Sequence, residues 1–167
     1  MDDRTIAFIG GGNMARALIG GLVGRGHPPG RLQVAEPVPA LRQALQADFG
    51  VGTHETALAA AERADTWVLA VKPQVMRSVC ESLAGLAQSR QPLLLSIAAG
   101  ITTAQLDRWL GGGQAVVRAM PNTPALLGAG ATGLFANARV DDAGKSAAEA
   151  VMLSCGLACL IPGEDLL

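Results

Sequence analysis

Tyrosine is absent from the chain, and the other aromatics amount to three Phe and two Trp. Proteins that stack on bases need more ring faces than this. Charge is sparse and balanced: thirteen basic and fourteen acidic residues leave a net charge of −1. The basic footprint of a nucleic-acid binder is therefore missing. Cysteine is limited to Cys80, Cys155 and Cys159. An odd number without a Cys-x-x-Cys spacing offers neither a disulfide framework nor a metal knuckle, so buried, inert thiols are expected and no metal site. His27 and His54 stand alone, outside any metal spacing or Ser/Asp pairing, and a surface or loop role is expected for each. No serine has the context of a nucleophile elbow. No apolar run reaches the ~18 residues of a membrane span, because Lys72, Pro73, Pro121 and Asn122 interrupt the longest candidates. The opening Met-Asp-Asp-Arg is not a secretory n-region. These absences point to a cytoplasmic protein with neither nucleic-acid nor membrane partners.

What remains is a chain of 167 residues, half of them hydrophobic. That length suits one domain, and a domain of this size buries roughly 70% of the surface its unfolded chain exposes. Short apolar runs at 5–9, 32–35, 66–71, 93–98 and 115–120 alternate with helical periodicity at 13–26, 38–48, 56–64, 75–86 and 102–110. Thr102 and Thr103 are placed to cap the last of these helices. The runs lack polar alternation, which is the pattern of strands buried on both faces by helices. The predicted fold is α/β, a doubly wound, mostly parallel, Rossmann-like sheet. In the last third, 131–136 reads as a strand. Asp141 and Asp142 open a helix through Ser154, and 157–161 reads as one more strand.

The first strand runs into IAFIGGGNMA, residues 6–15. This fits G-x-G-x-x-G/A with Gly10, Gly12 and Ala15 in the three small positions. The first lets the chain turn out of the strand, the second lets backbone approach a pyrophosphate, and the third lets helix pack on strand. Amides near Asn13 and Met14 would face the phosphates at the helix N-terminus. At the end of the second strand an acid binds the adenosine ribose and favours NAD. Glu36 holds that place, the alternative being a solvated strand-end charge, and Arg31 or Arg42 is near enough in sequence to offset it. Lys72 ends the central strand ahead of Pro73, at the edge where open α/β sheets bind ligands; the alternative is a snorkelling surface lysine. Ser96, Ala98, Ala99 and Gly100 leave room for a flat ring after the next strand. Asn122, between two prolines, offers both a donor and an acceptor to an amide, or else makes an Asx turn.

Taken together, IAFIGGGNMA, AVKPQVM (70–76), SIAAGIT (96–102), VVRAMPNTPALLGAGATGLFAN (116–137), Ser154-Cys155-Gly156 and Glu164-Asp165-Leu166 resemble the pyrroline-5-carboxylate reductase family. The resemblance runs over the whole chain, and its V-K-P and M-P-N-T-P segments are far more specific than the glycine loop. It implies reduction of 1-pyrroline-5-carboxylate to L-proline with NADPH or NADH, the last step of proline biosynthesis. It also implies cofactor contacts from Ile9, Gly10, Gly11, Gly12, Asn13 and Met14, from Ala70, Val71, Lys72 and Pro73, and from Ala99. Glu36 and Asn122 join these on the residue reading. Glu164 corresponds to a residue near the substrate, and no side chain is expected to act as catalytic acid or base.

Two departures from the family stand out. Glu36 replaces a small polar residue beside the 2′-phosphate, and Ala57 replaces a common Asn. The family continues into an all-helical dimerisation domain with a Ser-Gly-Ser-Gly-Pro loop, which these residues lack. Residues 1–161 are accordingly expected to form the dinucleotide-binding domain and 162–167 the start of the connection. The full-length form is expected to be a homo-oligomer, and the 167-residue chain alone to be inactive. Two other readings stay open: a related β-hydroxyacid or deazaflavin-linked dehydrogenase, expected to depart from A-V-K-P and P-N-T-P, and a non-catalytic dinucleotide-binding module.

Overall fold

A computed structural model describes residues 4–121, 130–160 and 163–164. Asn122 lies outside them, as does residue 161 of the last predicted strand. The elements follow the alternation in the sequence: β1 (Ile6–Ile9), α1 (Asn13–Gly24), β2 (Leu32–Ala35), α2 (Pro39–Phe49), β3 (Gly52–His54), α3 (Ala57–Ala61), β4 (Thr66–Leu69), α4 (Pro73–Arg90), β5 (Leu93–Ser96), α5 (Thr103–Trp109), β6 (Ala115–Pro121), β7 (Gly130–Ala136), α6 (Asp142–Met152) and β8 (Gly156–Leu160). The described strands form one sheet in the order β3-β2-β1-β4-β5-β6-β7-β8. All neighbours are parallel except β6 and β7. The first six strands have the order of a dinucleotide-binding Rossmann sheet, whose direction of winding reverses between β1 and β4.

Both faces of the sheet are covered, which is why its strands read as continuous apolar runs. Ile6, Phe8, Leu32, Val34, Val68, Leu95 and Val117 pack against α1, α2 and α6. The alternate residues Ala7, Ile9, Trp67, Leu69, Leu94 and Val116 pack against α3, α4 and α5. Trp67 is fully buried, and its indole N–H donates to the carbonyls of Ala61 and Ala64 at 3.1 and 3.2 Å. The ring thereby ties the short α3 to the central strand.

Local chemistry sets the ends of the helices. Thr102 and Gln105 form a capping box at the start of α5, Thr56 caps α3, and Asp141 caps α6 by accepting the Gly144 amide. Gly50 closes α2 in the left-handed region, at φ 73°.

The structure departs from the sequence reading at β3, which takes in His54 and is unexpected because its three residues are only half-buried and too few to show a period. His27 keeps the expected loop role, after α1, yet it is buried there: it is 6% exposed, with Nε2 2.9 Å from the Arg4 carbonyl. A carbonyl only accepts, so Nε2 carries the proton, and the ring anchors the chain as it enters β1.

Cys80 is free and fully buried on α4, as expected of an inert thiol; Cys155 and Cys159 lie outside the residues whose side chains are described. Burial, with Glu81 adding to it, pushes the Cys80 thiol up to about 12. At pH 8 its thiolate fraction is then on the order of 10⁻⁴. Alkylation of the native chain at pH 8, mapped by peptide mass spectrometry, should leave Cys80 unmodified, and labelling in urea should modify it. Prompt native labelling would mean that α4 is not packed as described.

Candidate functional site

Parallel pairing lines up Ile9, Ala35, Leu69 and Ser96 at the carboxyl ends of β1, β2, β4 and β5. The loops that leave this row build the site. Gly10 turns the chain out of β1 at φ +109°. A Cβ there would lie 2.7 Å from the Ala70 carbonyl oxygen. Glycine is needed twice over, for the backbone angle and for the approach of β4. Gly11 is buried, and a Cβ on it would press on Leu45 and Glu36 at 3.0 and 3.2 Å. Gly12 caps α1 and is exposed, and a Cβ there would meet nothing within 4 Å. Space is therefore open over the first turn of α1, where Asn13 and Met14 begin the helix and its amides lack internal partners. Ala15 behind them is buried against the sheet. This is a cradle a pyrophosphate fits.

Beside the cradle lies a mainly apolar cleft of about 210 Å³, lined by Ile9, Gly10, Ala35, Pro37, Val71 and Val75 and closed by Val79, Ala57 and Glu55. No lysine or arginine lines it. Glu36, between Ala35 and Pro37 of that lining, is only 7% exposed. Its Oε1 accepts the Gly11 amide and its Oε2 the Val38 amide, both at 2.9 Å. Glu36 is thus no solvated strand-end charge. Each carboxylate oxygen keeps a second lone pair for a ligand. Of the two arginines considered beside it, Arg42 is present: its Nη1 donates to the carbonyls of Glu36 and Pro37 at 2.7 and 3.1 Å. Arg31 instead reaches Thr5, at the amino end of β1. His54, ending β3, meets Gln33 Oε1 at 2.6 Å, and burial together with Arg63 holds its pKa below the usual imidazole value.

On the other side of the switch point, Ala70, Val71, Lys72 and Pro73 carry β4 into α4. The Ala70 amide donates to the Ile9 carbonyl at 2.8 Å. Lys72 is the N-cap of α4, exposed, with no hydrogen bond from its ammonium among the described residues. The β5–α5 loop carries Ala98, the exposed Ala99 and Gly100 at φ +76°. The structure therefore brings Ile9 to Met14, Glu36, Ala70 to Pro73 and Ala99 to one edge of the sheet. Glu164 lies farther along, in contact with Thr103 and Arg118.

Several residues of this edge escaped the sequence reading. Val75 and Val79, spaced i and i+4 on α4, turn apolar groups to the cleft, and Val75 is 46% exposed. Glu55 carries no motif. Arg118, buried within AVVRAM, had a legible signal: a lone charge inside an apolar strand requires a partner.

Fold and cradle together define a Rossmann-type dinucleotide-binding domain. A family model described as "NADP oxidoreductase coenzyme F420-dependent" matches residues 5–100, and the chain belongs to that family. The chain is 44% identical over 164 residues to the pyrroline-5-carboxylate reductase of Pseudomonas aeruginosa, covering 98% of this chain and 60% of the relative. Among solved structures, a pyrroline-5-carboxylate reductase from Coxiella burnetii superposes with a TM-score of 0.96 at 41% identity, over 98% of this chain and 61% of that one. The Plasmodium falciparum pyrroline carboxylate reductase, solved with NADP bound, gives 0.85 at 26% identity over 99% and 60%. The chain thus spans about three-fifths of the length of these relatives. A nicotinamide dinucleotide is the cofactor class to which family and cradle point.

Gly12 and Gly10 should respond differently to substitution. Gly12→Val adds a β-carbon that meets no protein atom within 4 Å, so the fold should persist while dinucleotide affinity falls at least roughly tenfold, since the branch stands where backbone must approach the pyrophosphate. Gly10→Ala should lose more than about 1 kcal/mol of stability as well, because φ is positive and Ala70 blocks the methyl. Calorimetric titration with NADPH and NADH, beside urea denaturation, separates the two effects. Unchanged affinity in a folded Gly12→Val chain would move the site elsewhere.

Proposed function

We propose that this chain is the cofactor-binding part of a reductase that converts 1-pyrroline-5-carboxylate to L-proline with NADPH or NADH. The observation that carries the reading is the Gly10–Ala70 approach. It joins the glycine loop and the A-V-K-P segment, the general and the specific halves of the family pattern, into one cradle with open space over Gly12. The likeness to reductases of that name over nearly the whole chain supports it.

When bound, a reduced nicotinamide would supply the hydride for C5 of the cyclic C=N bond, whose electron pair would pass to the protonated ring nitrogen to leave a secondary amine. The chain's own part is binding and orientation. Amides of the first turn of α1 hold the pyrophosphate. The cleft beside Val71, Val75 and Val79 takes the adenine, since apolar walls suit a flat base. The small side chains of Ala98 and Ala99 let a ring lie against the end of β5. Orientation of this kind is worth roughly 7–11 kcal/mol of barrier, which is why no side-chain acid or base is assigned here. The direct test is a chimera of residues 1–167 with the remaining two-fifths of the Pseudomonas aeruginosa relative. It should oxidise NADPH or NADH only when 1-pyrroline-5-carboxylate is present. A folded, cofactor-binding chimera without that turnover would overturn the assignment.

The choice between cofactors falls on Glu36. Its carboxylate repels a 2′-phosphate and accepts a free 2′-hydroxyl, while Arg42 beside it is the counterweight. Because Glu36 also holds the Gly11 amide, Glu36→Ser should weaken both cofactors yet shift the ratio of their Kd values toward NADPH by roughly tenfold, the scale of one charge-assisted contact. Fluorescence titration of both cofactors reads the ratio. A fall in both affinities at constant ratio would leave Glu36 only the holding of the loop.

A further inference from the structure

Arg118 on β6 is 6% exposed, in a strand otherwise built of apolar residues. Its Nη1 pairs with Glu164 Oε2 at 3.2 Å, and its Nε has no partner among the described residues. Glu164 has further partners. Its Oε2 accepts the Thr103 amide at 2.6 Å and its Oε1 the Thr103 hydroxyl at 2.8 Å. One carboxylate, 61 residues on in sequence, thus holds the residue at which the β5–α5 loop ends and α5 begins. At its other end the loop is held by Ser96, whose Oγ accepts the Ala98 amide at 3.3 Å. Between these anchors lie Ala99 and Gly100, both exposed at the carboxyl edge.

We propose that Glu164 is a positioning residue for the nicotinamide half of the cofactor, acting through Thr103 and the β5–α5 loop. The inference rests on the dinucleotide reading above. In the strand order β2-β1-β4-β5, adenosine belongs with β2 and its Glu36, so the other half of the dinucleotide extends over β4 and β5. A loop fixed at both ends presents its face to the ring without an ordering cost on binding, which is how preorganisation raises affinity. Arg118 orients the carboxylate, and the carboxylate compensates a buried guanidinium that would otherwise be unpaired.

The test compares two probes on one protein. NADH or NADPH carries the nicotinamide; ADP-ribose or its 2′-phosphate lacks it. Glu164→Ala should weaken the dinucleotide roughly tenfold, the scale of losing a charge-assisted contact, while ADP-ribose affinity changes less than twofold. Amide hydrogen exchange at Ala98 to Thr102 should accelerate in the same variant. Glu164→Gln, which keeps an oxygen for Thr103, should recover part of the affinity. Arg118→Met, which removes the group that orients the carboxylate but leaves its Thr103 contacts, should weaken the dinucleotide less than Glu164→Ala does, again with ADP-ribose affinity spared. Equal weakening of both probes, no weakening of either, or unchanged exchange in the loop would overturn the proposal. Direct contact between Glu164 and substrate would appear as dinucleotide affinity untouched in every variant. If the unaltered chain bound neither probe, the dinucleotide reading itself would fall and this inference with it.

Discussion

Gly10 comes so close to Ala70 that no side chain fits between them, and the rest of the site depends on that approach. A Cβ at Gly10 would stand 2.7 Å from the Ala70 oxygen, so β1 and β4 leave the sheet as near neighbours and then diverge in opposite directions around the fold. The crevice at this divergence is where a doubly wound sheet binds its ligand. Moving the two strand ends apart by the thickness of a methyl group would carry the first turn of α1 away from the A-V-K-P segment. The cradle and the apolar cleft beside it share Gly10 as a common wall, so both would lose their shape together.

Two carboxylates flank this point in similar ways. Glu36 accepts the amides of Gly11 and Val38 on the β2 side, and Glu164 accepts the amide and hydroxyl of Thr103 on the β5 side. Backbone N–H groups in loops that cannot form a ladder still need acceptors, and a carboxylate supplies two oxygens for one side chain. Read from sequence, each looks like a group reaching for ligand. In the fold each first satisfies backbone and thereby fixes a loop that faces ligand. Glu36 in addition stands between Ala35 and Pro37, both of which line the apolar cleft.

Much of this architecture is legible in the residues. Runs such as IAFI and WVLA lack polar alternation because alternate residues meet helices on opposite faces, and Gly-x-Gly-x-x-Ala marks a turn with a positive φ at Gly10 and open space at Gly12. What stays hidden is what depends on contacts distant in sequence. β3 is three half-buried residues that become a strand only by pairing with β2. His27 is buried because the chain before β1 returns a carbonyl to it, and nothing around position 27 foretells that. Val75 and Val79 read as ordinary helix positions until β2 and β4 place a cleft in front of them.

Arg118 lies between these cases, and it shows how far a sequence argument extends. A guanidinium amid AVVRAM demands an acceptor on physical grounds alone, since a buried unpaired charge is among the costliest features a fold can hold. That reasoning requires a partner without naming it. Asp107 would be a candidate by nearness in sequence, but its carboxylate is used to accept the Gln114 amide at 2.8 Å. The acceptor comes instead from Glu164, beyond β8 in sequence. The pairing that holds the β5–α5 loop therefore joins residues from β6, from the start of α5 and from beyond β8. The face of the β5–α5 loop thus draws on residues far apart in sequence, whereas the glycine cradle is built within the first 70 residues, from β1, α1, the end of β2 and β4.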